Sequence, residues 1–407
     1  MGRLRIHIFA LFAHSFFMKN ITGRITRAAA GFILCLCAYA AVLSPLSFGR
    51  GVFSARAEIL RKNEINLTIE ANGKTFNYYY PEIDISGGKY YLKNAEEVVD
   101  DIYFSSLVFP VNASYVLHPE REQPFEFKKE KVGLGVDKQA LLKSIDKILN
   151  NGGGVIKADK FVTVKPDITL SELKKNLCKR GEFSTVYSAS AAARKSNILL
   201  ACKLLSGTEI GTGEEFSFNE IVGERTEERG FSSAKVIENG KFTEGVGGGV
   251  CQVSSTVYNC ALLSGMTIAE RHRHSLAVSY VEPSFDAMVS FSYADLRFVN
   301  ESGSPVLIVA DADGNRVRIR VYGEKNCYRY KRISLVNELI DPLPEEIVYT
   351  SELSSGETRQ MVYPKKGIKS AGVIEKYLGE KLIERKLLVT DEYSPLRGIT
   401  LVGNKEE

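Results

Sequence analysis

The stretch that decides the fold runs from Gly245 to Gly265 and reads GVGGGVCQVSSTVYNCALLSG. Four of its first five residues are glycine. The apolar spacing that follows predicts a helix that turns Val253, Val257 and Cys260 inward and stops at the final glycine. Cys251 falls in the first turn of this helix, where the positive end of the helix dipole and unpaired amides stabilise thiolate over thiol.

The glycines before Cys251 add a second chemical feature. Gly248 and Gly249 can adopt positive φ angles and let the backbone approach a substrate closely. Their amides are therefore candidates for an oxyanion hole. Together, these features suit a thiol that attacks a carbonyl group.

A cysteine nucleophile also needs a base, and beyond the N-terminal segment the chain has only His118, His272 and His274. The last two lie in ERHRHS at the start of a predicted strand, where an H-x-H pattern places both rings on one face. A Cys–His pair is therefore expected. The group that orients the histidine stays open between Asp286 and Asp295.

Two other interpretations of Cys251 are open at this point. The thiol can be a small apolar residue at a tight glycine turn. It can also bind zinc together with His272 and His274, which would leave a fourth coordination position open. The chain lacks the HExxH or CxxC spacing that usually accompanies such a zinc site.

Composition limits the class of protein. A length of 407 residues suits two or three domains. With 44% hydrophobic and 25% charged residues the chain is an ordinary globular one, and a net charge of +4 gives no reason to expect a nucleic-acid partner. Seven cysteines without a CxxC pair argue against a disulfide framework, and Cys202 and Cys260 are expected to be buried thiols.

The N-terminus predicts export. Residues Ala28 to Phe48 are uncharged and follow several basic residues, a pattern that leaves the N-terminus inside and sends the rest across a membrane. The small residues of Ser54 to Ala57 offer a cleavage site. Residues 1–57 are therefore expected to be a signal peptide or, if uncleaved, a membrane anchor.

The remaining chain predicts a multidomain α+β protein. Residues 58–180 suit a small α+β domain, with one helix capped by Asp137 and another that begins with a capping box at Thr169. The helix expected from Ser190 to Ser206 should bury Ile198, Leu199, Cys202 and Leu205. Four strands are expected after the Cys251 helix: SLAVSYV, AMVSFSY, PVLIVADA and NRVRIRVYG, with a turn at Asp313-Gly314 between the last two. The tail is strand-rich and suits binding or spacing more than catalysis.

A family resemblance adds to this interpretation. From Tyr187 to Gly323 the chain resembles the VanW family, with the elements RKSN, GGGVCQ, HS, DA and DLRFVN in family order. The preceding segment, with VKPDITLSELK, is similar to the peptidoglycan-binding domain often found ahead of VanW domains. The tail resembles a divergent G-five module. The resemblance therefore implies three parts: residues 58–180, 181–326 and 333–404.

The resemblance also implies an activity, because some VanW members are described as cysteine L,D-transpeptidases that form 3-3 cross-links in peptidoglycan. Cys251 becomes the nucleophile toward a stem peptide, and His274, in the HS element, becomes the base ahead of His272. The aspartate of the DA element is Asp286. The implied positioning residues are Gln252, Arg194 and Asn197.

These expectations define an extracytoplasmic protein with peptidoglycan stem peptides as partners, no cofactor and no metal. The alternative is a non-catalytic peptidoglycan-binding or glycopeptide-resistance accessory protein, in which the Cys251 motif only holds a turn. The reactivity of the thiol separates the two.

Overall fold

The computed structural model describes residues 65–238 and 241–405, and the chain there is a mixture of helix and strand. The described helices are α1 (Ala95–Ser106), α2 (Lys138–Leu149), α3 (Leu170–Asn176), α4 (Ala192–Leu205), α5 (Phe218–Val222) and α6 (Val250–Ser264).

The segment from residue 65 to residue 177, which we call the first segment, has its own hydrophobic core, in which Leu67 and Ile69 pack against Ile145 and Leu149 of α2. Two predicted helix starts are confirmed: the side chain of Asp137 caps α2, and a capping box at Thr169 opens α3. The strands of this segment are β1 (Leu67–Ala71), β2 (Lys74–Tyr78), β3 (Ile83–Ser86), β4 (Lys89–Leu92), β5 (Ser114–Leu117), β6 (Phe125–Lys128), β7 (Gly133–Val136), β8 (Gly154–Lys157) and β9 (Phe161–Val164).

The central segment is built around an antiparallel four-stranded sheet whose strands, in spatial order, are β10 (Cys178–Val186), β18 (Arg316–Gly323), β17 (Val306–Ala312) and β11 (Thr208–Ile210), with α6 packed against it. The turn predicted at Asp313-Gly314 joins β17 to β18. The strands of this segment are β10 (Cys178–Val186), β11 (Thr208–Ile210), β12 (Glu215–Ser217), β13 (Ser233–Glu238), β14 (Lys241–Val246), β15 (Thr267–Glu270), β16 (Arg297–Val299), β17 (Val306–Ala312) and β18 (Arg316–Gly323).

The segments meet earlier than the sequence suggested. Strand β10 begins at Cys178 and pairs with β18, so the boundary expected at residue 181 falls inside a strand of the central sheet. The β5–β6 hairpin of the first segment also packs on this sheet, where the rings of Phe125 and Tyr322 lie 4.8 Å apart at their centroids.

Two expected strands are absent from the described central segment. Residues 275–281 form a loop, and residues 287–293 make only isolated bridges to neighbouring backbone. The apolar residues Phe285, Ala287 and Val289 are nevertheless buried in the core that contains α6, and Ser284 and Asp286 are buried with them. Their backbone is satisfied by helix side chains: the Ser254 hydroxyl donates to the Ala287 carbonyl at 2.6 Å. Side chains of helix α6 therefore act as the hydrogen-bond partners that a neighbouring strand would otherwise supply.

Helix α4 begins at Ala192 and ends at Leu205, close to the predicted bounds. Ile198, Cys202 and Leu205 are buried as expected. The expectation for Leu199 is wrong, because this side chain is 53% exposed. The buried stripe includes Asn197 instead, and the 100° turn per residue carries Leu199 out to solvent.

The strand-rich tail is confirmed and forms what we call the C-terminal module, residues Tyr328–Lys405. It contains two three-stranded sheets, in the orders β19-β22-β23 and β20-β24-β21. Arg332 of this module places its guanidinium 4.4 Å from the ring centroid of Phe183 and so docks the module on the central segment. The strands are β19 (Tyr328–Ile340), β20 (Glu346–Ser354), β21 (Thr358–Val362), β22 (Gly367–Leu378), β23 (Lys381–Tyr393) and β24 (Ile399–Lys405).

Among the described residues no helix is long and apolar enough to cross a bilayer. The apolar run from Ala28 to Phe48 and the predicted cleavage site lie outside the described residues.

Candidate active site

The glycine turn is shaped by close packing as well as by its backbone angles. Gly249 caps α6 with φ of 108°, and a Cβ there would lie 2.9 Å from Cγ1 of Ile198 on α4. A Cβ on Gly248 would lie 2.8 Å from the carbonyl oxygen of Lys235 on β13. Only glycine therefore lets the start of α6, with Cys251 in its first turn, sit this close to both elements.

Cys251 is half-buried, and its Sγ lies 3.5 Å from the carbonyl oxygen of Val289. Burial alone would raise the pKa of the thiol. A hydrogen bond and charge attraction from His274, together with the nearby guanidinium of Arg225, outweigh burial and lower the pKa below its ordinary value. The site thus favours the thiolate.

His274 is the partner of this thiol, and Asp286 holds its other ring nitrogen. Nδ1 of His274 lies 2.6 Å from Oδ2 of Asp286, and the backbone N–H of His274 donates to the same oxygen at 2.7 Å. The two side chains are 6% and 1% exposed. With Nδ1 engaged by Asp286, Nε2 is the ring nitrogen left for the sulfur.

The electrostatics of this pair favour two charged groups. Burial alone would lower the pKa of His274, but hydrogen bonds and charge attraction from Asp286 and Cys251 raise it to about 9. Burial likewise would raise the pKa of Asp286, whereas His274, Arg271 and Tyr393 lower it to about 2. A carboxylate, an imidazolium and a thiolate in line can carry out nucleophilic acyl transfer.

Helix α6 holds both Cys251 and the loop that carries Asp286. It carries Cys251 itself, and its polar side chains hold the loop with Asp286: Nδ2 of Asn259 donates to the Phe285 carbonyl at 2.7 Å. The N–H of Ala287 donates to the Ser255 hydroxyl at 2.9 Å. Asp286 therefore lies between two backbone groups pinned to the nucleophile's own helix.

The geometry resolves the choice between the two aspartates. Asp295 accepts hydrogen bonds from the Ser217 hydroxyl at 2.5 Å and from the Asn219 amide at 2.9 Å. It caps the start of α5 and has no contact with His274 in the described part of the chain. Asp286 is the aspartate that the structure brings to the histidine.

The implied positioning residues take different places. Arg194 lines the cleft in front of Cys251 and donates to Oε1 of Gln252 at 2.8 Å. The amide nitrogen of Gln252 donates to the Val186 carbonyl at 3.0 Å, so this side chain ties α6 to α4 and β10. Asn197 is buried and donates to the Gly248 carbonyl at 3.0 Å. Because a trans peptide directs C=O and N–H oppositely, this bond fixes the direction of the Gly249 N–H.

His272 lies apart from the Cys251–His274 pair. Its Nε2 contacts Oε1 of Glu270 at 2.8 Å, and its side chain is 40% exposed. The shared face expected for the two histidines is therefore not used by one site. In the part of the chain that the structure describes, no group of three or more cysteine, histidine or acidic side chains is arranged to hold a metal ion.

The sequence missed the groups behind Asp286. Nη2 of Arg271 donates to Oδ1 of Asp286 at 2.7 Å, and the Tyr393 hydroxyl donates to the same oxygen at 2.5 Å. Arg271 also pairs with Asp391, at 2.8 and 2.9 Å to its two oxygens. Tyr393 is 107 residues away from Asp286 in the chain, and no spacing rule connects them.

A cleft of about 1110 Å³ opens in front of Cys251. Arg194 and Arg225 line it, as does Tyr280, whose ring lies 6.5 Å from that of His274 at the centroids. Tyr280 was also missed by sequence reasoning. Lys365 of the C-terminal module lines the cleft as well.

Comparison with known proteins places this cleft in a family. Residues 193–322, which carry Cys251, His274 and Asp286, match the family model described as VanW like protein. This part of the chain is a VanW-like domain.

Two curated relatives are each similar to about a third of the chain. The chain is 41% identical over 142 residues to the uncharacterized protein YoaR of Bacillus subtilis strain 168, a match over 35% of this chain and 47% of that protein. It is 30% identical over 135 residues to the vancomycin B-type resistance protein VanW of Enterococcus faecalis, over 32% of this chain and 49% of that protein. The chain thus spans about half the length of each relative.

Solved structures resemble parts of the chain at low TM-scores. The G5 domain of an IgA1 protease is 24% identical over 19% of this chain and 89% of its own, with a TM-score of 0.14. An Enterococcus faecium L,D-transpeptidase, in its C442S mutant, is 8% identical over 47% of this chain and 75% of its own, with a TM-score of 0.18. At these scores the likeness does not extend the fold assignment beyond the VanW domain.

Proposed function

We propose that this VanW protein is an exported cell-wall enzyme, a cysteine L,D-transpeptidase that forms 3-3 cross-links in peptidoglycan. The observation that carries the proposal is the line of Cys251, His274 and Asp286 at the edge of a large cleft. The low pKa of the thiol and the buried carboxylate behind the histidine are what a cysteine acyltransferase requires.

In the first half-reaction the Cys251 thiolate attacks the carbonyl carbon of the third residue of a donor tetrapeptide. The carbonyl oxygen becomes an oxyanion. We propose that the amides of Gly248 and Gly249, in the glycine turn before α6, receive it. His274 then gives its Nε2 proton to the amine of the terminal D-alanine, the C–N bond breaks, and a thioester remains on Cys251.

In the second half-reaction the side-chain amine of a neighbouring stem attacks the thioester carbonyl. His274, now neutral, accepts a proton from that amine through Nε2. The C–S bond breaks and returns the Cys251 thiolate, while the new amide joins the third residues of two stems. Asp286 keeps the imidazole in the same orientation through both half-reactions.

The cleft supports a substrate of this class. Its volume of about 1110 Å³ is at the upper end of small-molecule pockets and suits two peptide stems better than one compact ligand. The guanidinium groups of Arg194 and Arg225 suit the carboxylates that such stems carry. Stem peptides are therefore the partners we propose.

The rest of the chain is assigned a supporting role. We propose that residues 1–57 are a signal peptide or anchor, that the segment before the start of β10 at Cys178 is a peptidoglycan-binding domain, that the central segment is the catalytic domain and that the C-terminal module is G-five-like. The protein would then act outside the cytoplasm. The name of the Enterococcus relative, a vancomycin resistance protein, supports a role connected with the cell wall.

Muropeptide analysis of cells that express matched levels of each protein tests the activity. Wild type should give 3-3 cross-linked dimers, and Cys251→Ala should give none above background because no thioester can form. Cys327→Ser, which changes an exposed cysteine just before the C-terminal module, is the matched control and should retain the dimers. Equal amounts of dimer from wild type and Cys251→Ala, or none from wild type, would favour the non-catalytic accessory protein instead.

A further inference from the structure

We propose that the C-terminal module is a working part of the active centre, with Tyr393 and Asp391 as positioning residues for the Asp286–His274 pair. The inference rests on the proposed function in taking Cys251 as the nucleophile. It differs from the expectation for the tail, which suited binding or spacing.

Tyr393, the last residue of β23, reaches Asp286 directly. It is 1% exposed, and its hydroxyl donates to Oδ1 of Asp286 at 2.5 Å while accepting from the Ser284 amide at 2.8 Å. A phenol has one proton to donate. Here that proton is committed to the carboxylate, and the tyrosine ring fixes the distance between the module and the loop with Asp286.

Asp391 acts one step further away, through Arg271. Nη1 of Arg271 is paired with both oxygens of Asp391, while Nη2 and Nε bind Oδ1 and the backbone carbonyl of Asp286. Arg271 and Asp391 are both almost fully buried at the ion pair. Without Asp391, Asp286 alone would balance both the Arg271 guanidinium and the His274 imidazolium, and this would oppose protonation of His274.

The two carboxylate oxygens of Asp286 accept hydrogen bonds from different partners. Oδ2 accepts both hydrogen bonds from His274, and Oδ1 accepts from Arg271 and Tyr393. The module therefore holds the oxygen that the histidine does not use and stops the carboxylate from rotating. A contact that served only to dock the module would not need to end on this oxygen.

Further contacts tie the module to the backbone on both sides of the site. The Ser394 amide donates to the carbonyl of Ser275, the residue after His274, at 2.8 Å. The hydroxyls of Ser370 and Ser284 lie 2.8 Å apart. Together with Lys365 in the cleft wall, these contacts make the module continuous with the active centre.

The test is the pH dependence of Cys251 alkylation by iodoacetamide in the full chain, followed by mass spectrometry of the peptide that contains Cys251. This readout needs no peptidoglycan and is therefore independent of the transpeptidase assignment. It reports how strongly the surroundings stabilise the thiolate. The groups that face the thiol and its partners from the packed elements are Arg194, Arg225, Arg271, His274, Tyr258, Tyr280, Asp286, Asp391 and Tyr393.

Tyr393→Phe keeps the buried ring and removes only the hydroxyl, and Asp391→Asn removes only the charge. Both should weaken the support for the His274 imidazolium and move the alkylation midpoint of Cys251 to higher pH, by roughly half a unit to one unit. Tyr377→Phe is the matched control, because it removes a tyrosine hydroxyl bonded to a carboxylate, Glu375, elsewhere in the module. Its midpoint should equal that of wild type.

Midpoints for Tyr393→Phe and Asp391→Asn that match the control, in proteins with unchanged circular dichroism, would overturn the positioning role. If Asp391→Asn does not fold, Tyr393→Phe decides alone. A shifted midpoint in a protein that makes no 3-3 dimers even as wild type would support the positioning role and contradict only the transpeptidase assignment.

Discussion

At the scale of single residues, the site depends on a buried histidine that stays protonated at neutral pH. Because the pKa of His274 is raised to about 9 and the pKa of Cys251 is lowered, thiolate and imidazolium coexist at pH values between the two. In the proposed mechanism the histidine is the acid of the first half-reaction, so its proton must be present. Above the folded-state pKa that proton is lost.

The pH dependence of turnover follows from this loss of the His274 proton at high pH. We expect D-alanine release from a donor tetrapeptide to fall as pH rises through about 9. Asp286→Asn removes the charge that raises the pKa of His274, so the fall should move to lower pH, and the rate should drop about 10²- to 10⁴-fold. Asp295→Asn, which alters the other aspartate, should keep the wild-type profile if folded. If the rate of Asp286→Asn falls over the same pH range as the rate of wild type, the role of Asp286 is contradicted.

Sequence reasoning reached this residue pattern only in part. The thiol at a helix start and the adjacent histidines were readable because the chemistry lies within one short stretch of chain. The choice between Asp286 and Asp295 was not readable, since both precede buried apolar residues and only the fold shows which one faces His274. Arg271 was visible in ERHRHS but carried no signal of its own.

At the scale of elements, the glycine turn and α6 act as one unit. The predicted helices are confirmed where caps mark their ends, as at Asp137 and Thr169. The strands expected at residues 275–281 and 287–293 were wrong because apolar residues such as Ala287 and Val289 can also be buried when a loop lies along a helix. The local sequence pattern does not reveal which element supplies the hydrogen-bond partners of the backbone.

Replacement of Gly249 tests whether close packing of the glycine turn stabilises the start of α6. Gly249→Ala forces a side chain into the left-handed region and against Ile198, so the free energy of unfolding should fall by about 2–4 kcal/mol. Gly303→Ala has a similar positive φ but open space around it, and should cost only about 1–2 kcal/mol. Urea unfolding of both variants measures the difference. Equal losses would mean that close packing of the glycine turn on α4 is unimportant.

At the scale of the whole molecule, the VanW domain and the C-terminal module share one polar network. The module was readable as strands from its alternation, yet its role was not, because Tyr393 and Asp391 are distant in sequence from the thiol and lie in a segment without cysteine or histidine. Arg332 reinforces the contact by packing on Phe183 and Phe285 of the VanW domain. The active centre is therefore assembled by tertiary structure rather than by one motif.

The most direct test of the central claim is capture of the acyl-enzyme. Purified protein is incubated with a donor tetrapeptide, quenched in acid and analysed by intact and peptide mass spectrometry. The account predicts that the mass of wild type increases by the tripeptide acyl group, on the peptide that contains Cys251, with release of D-alanine. Cys251→Ala should give neither product. Release of D-alanine by Cys251→Ala at the wild-type rate, or no adduct and no release from wild type, would contradict it.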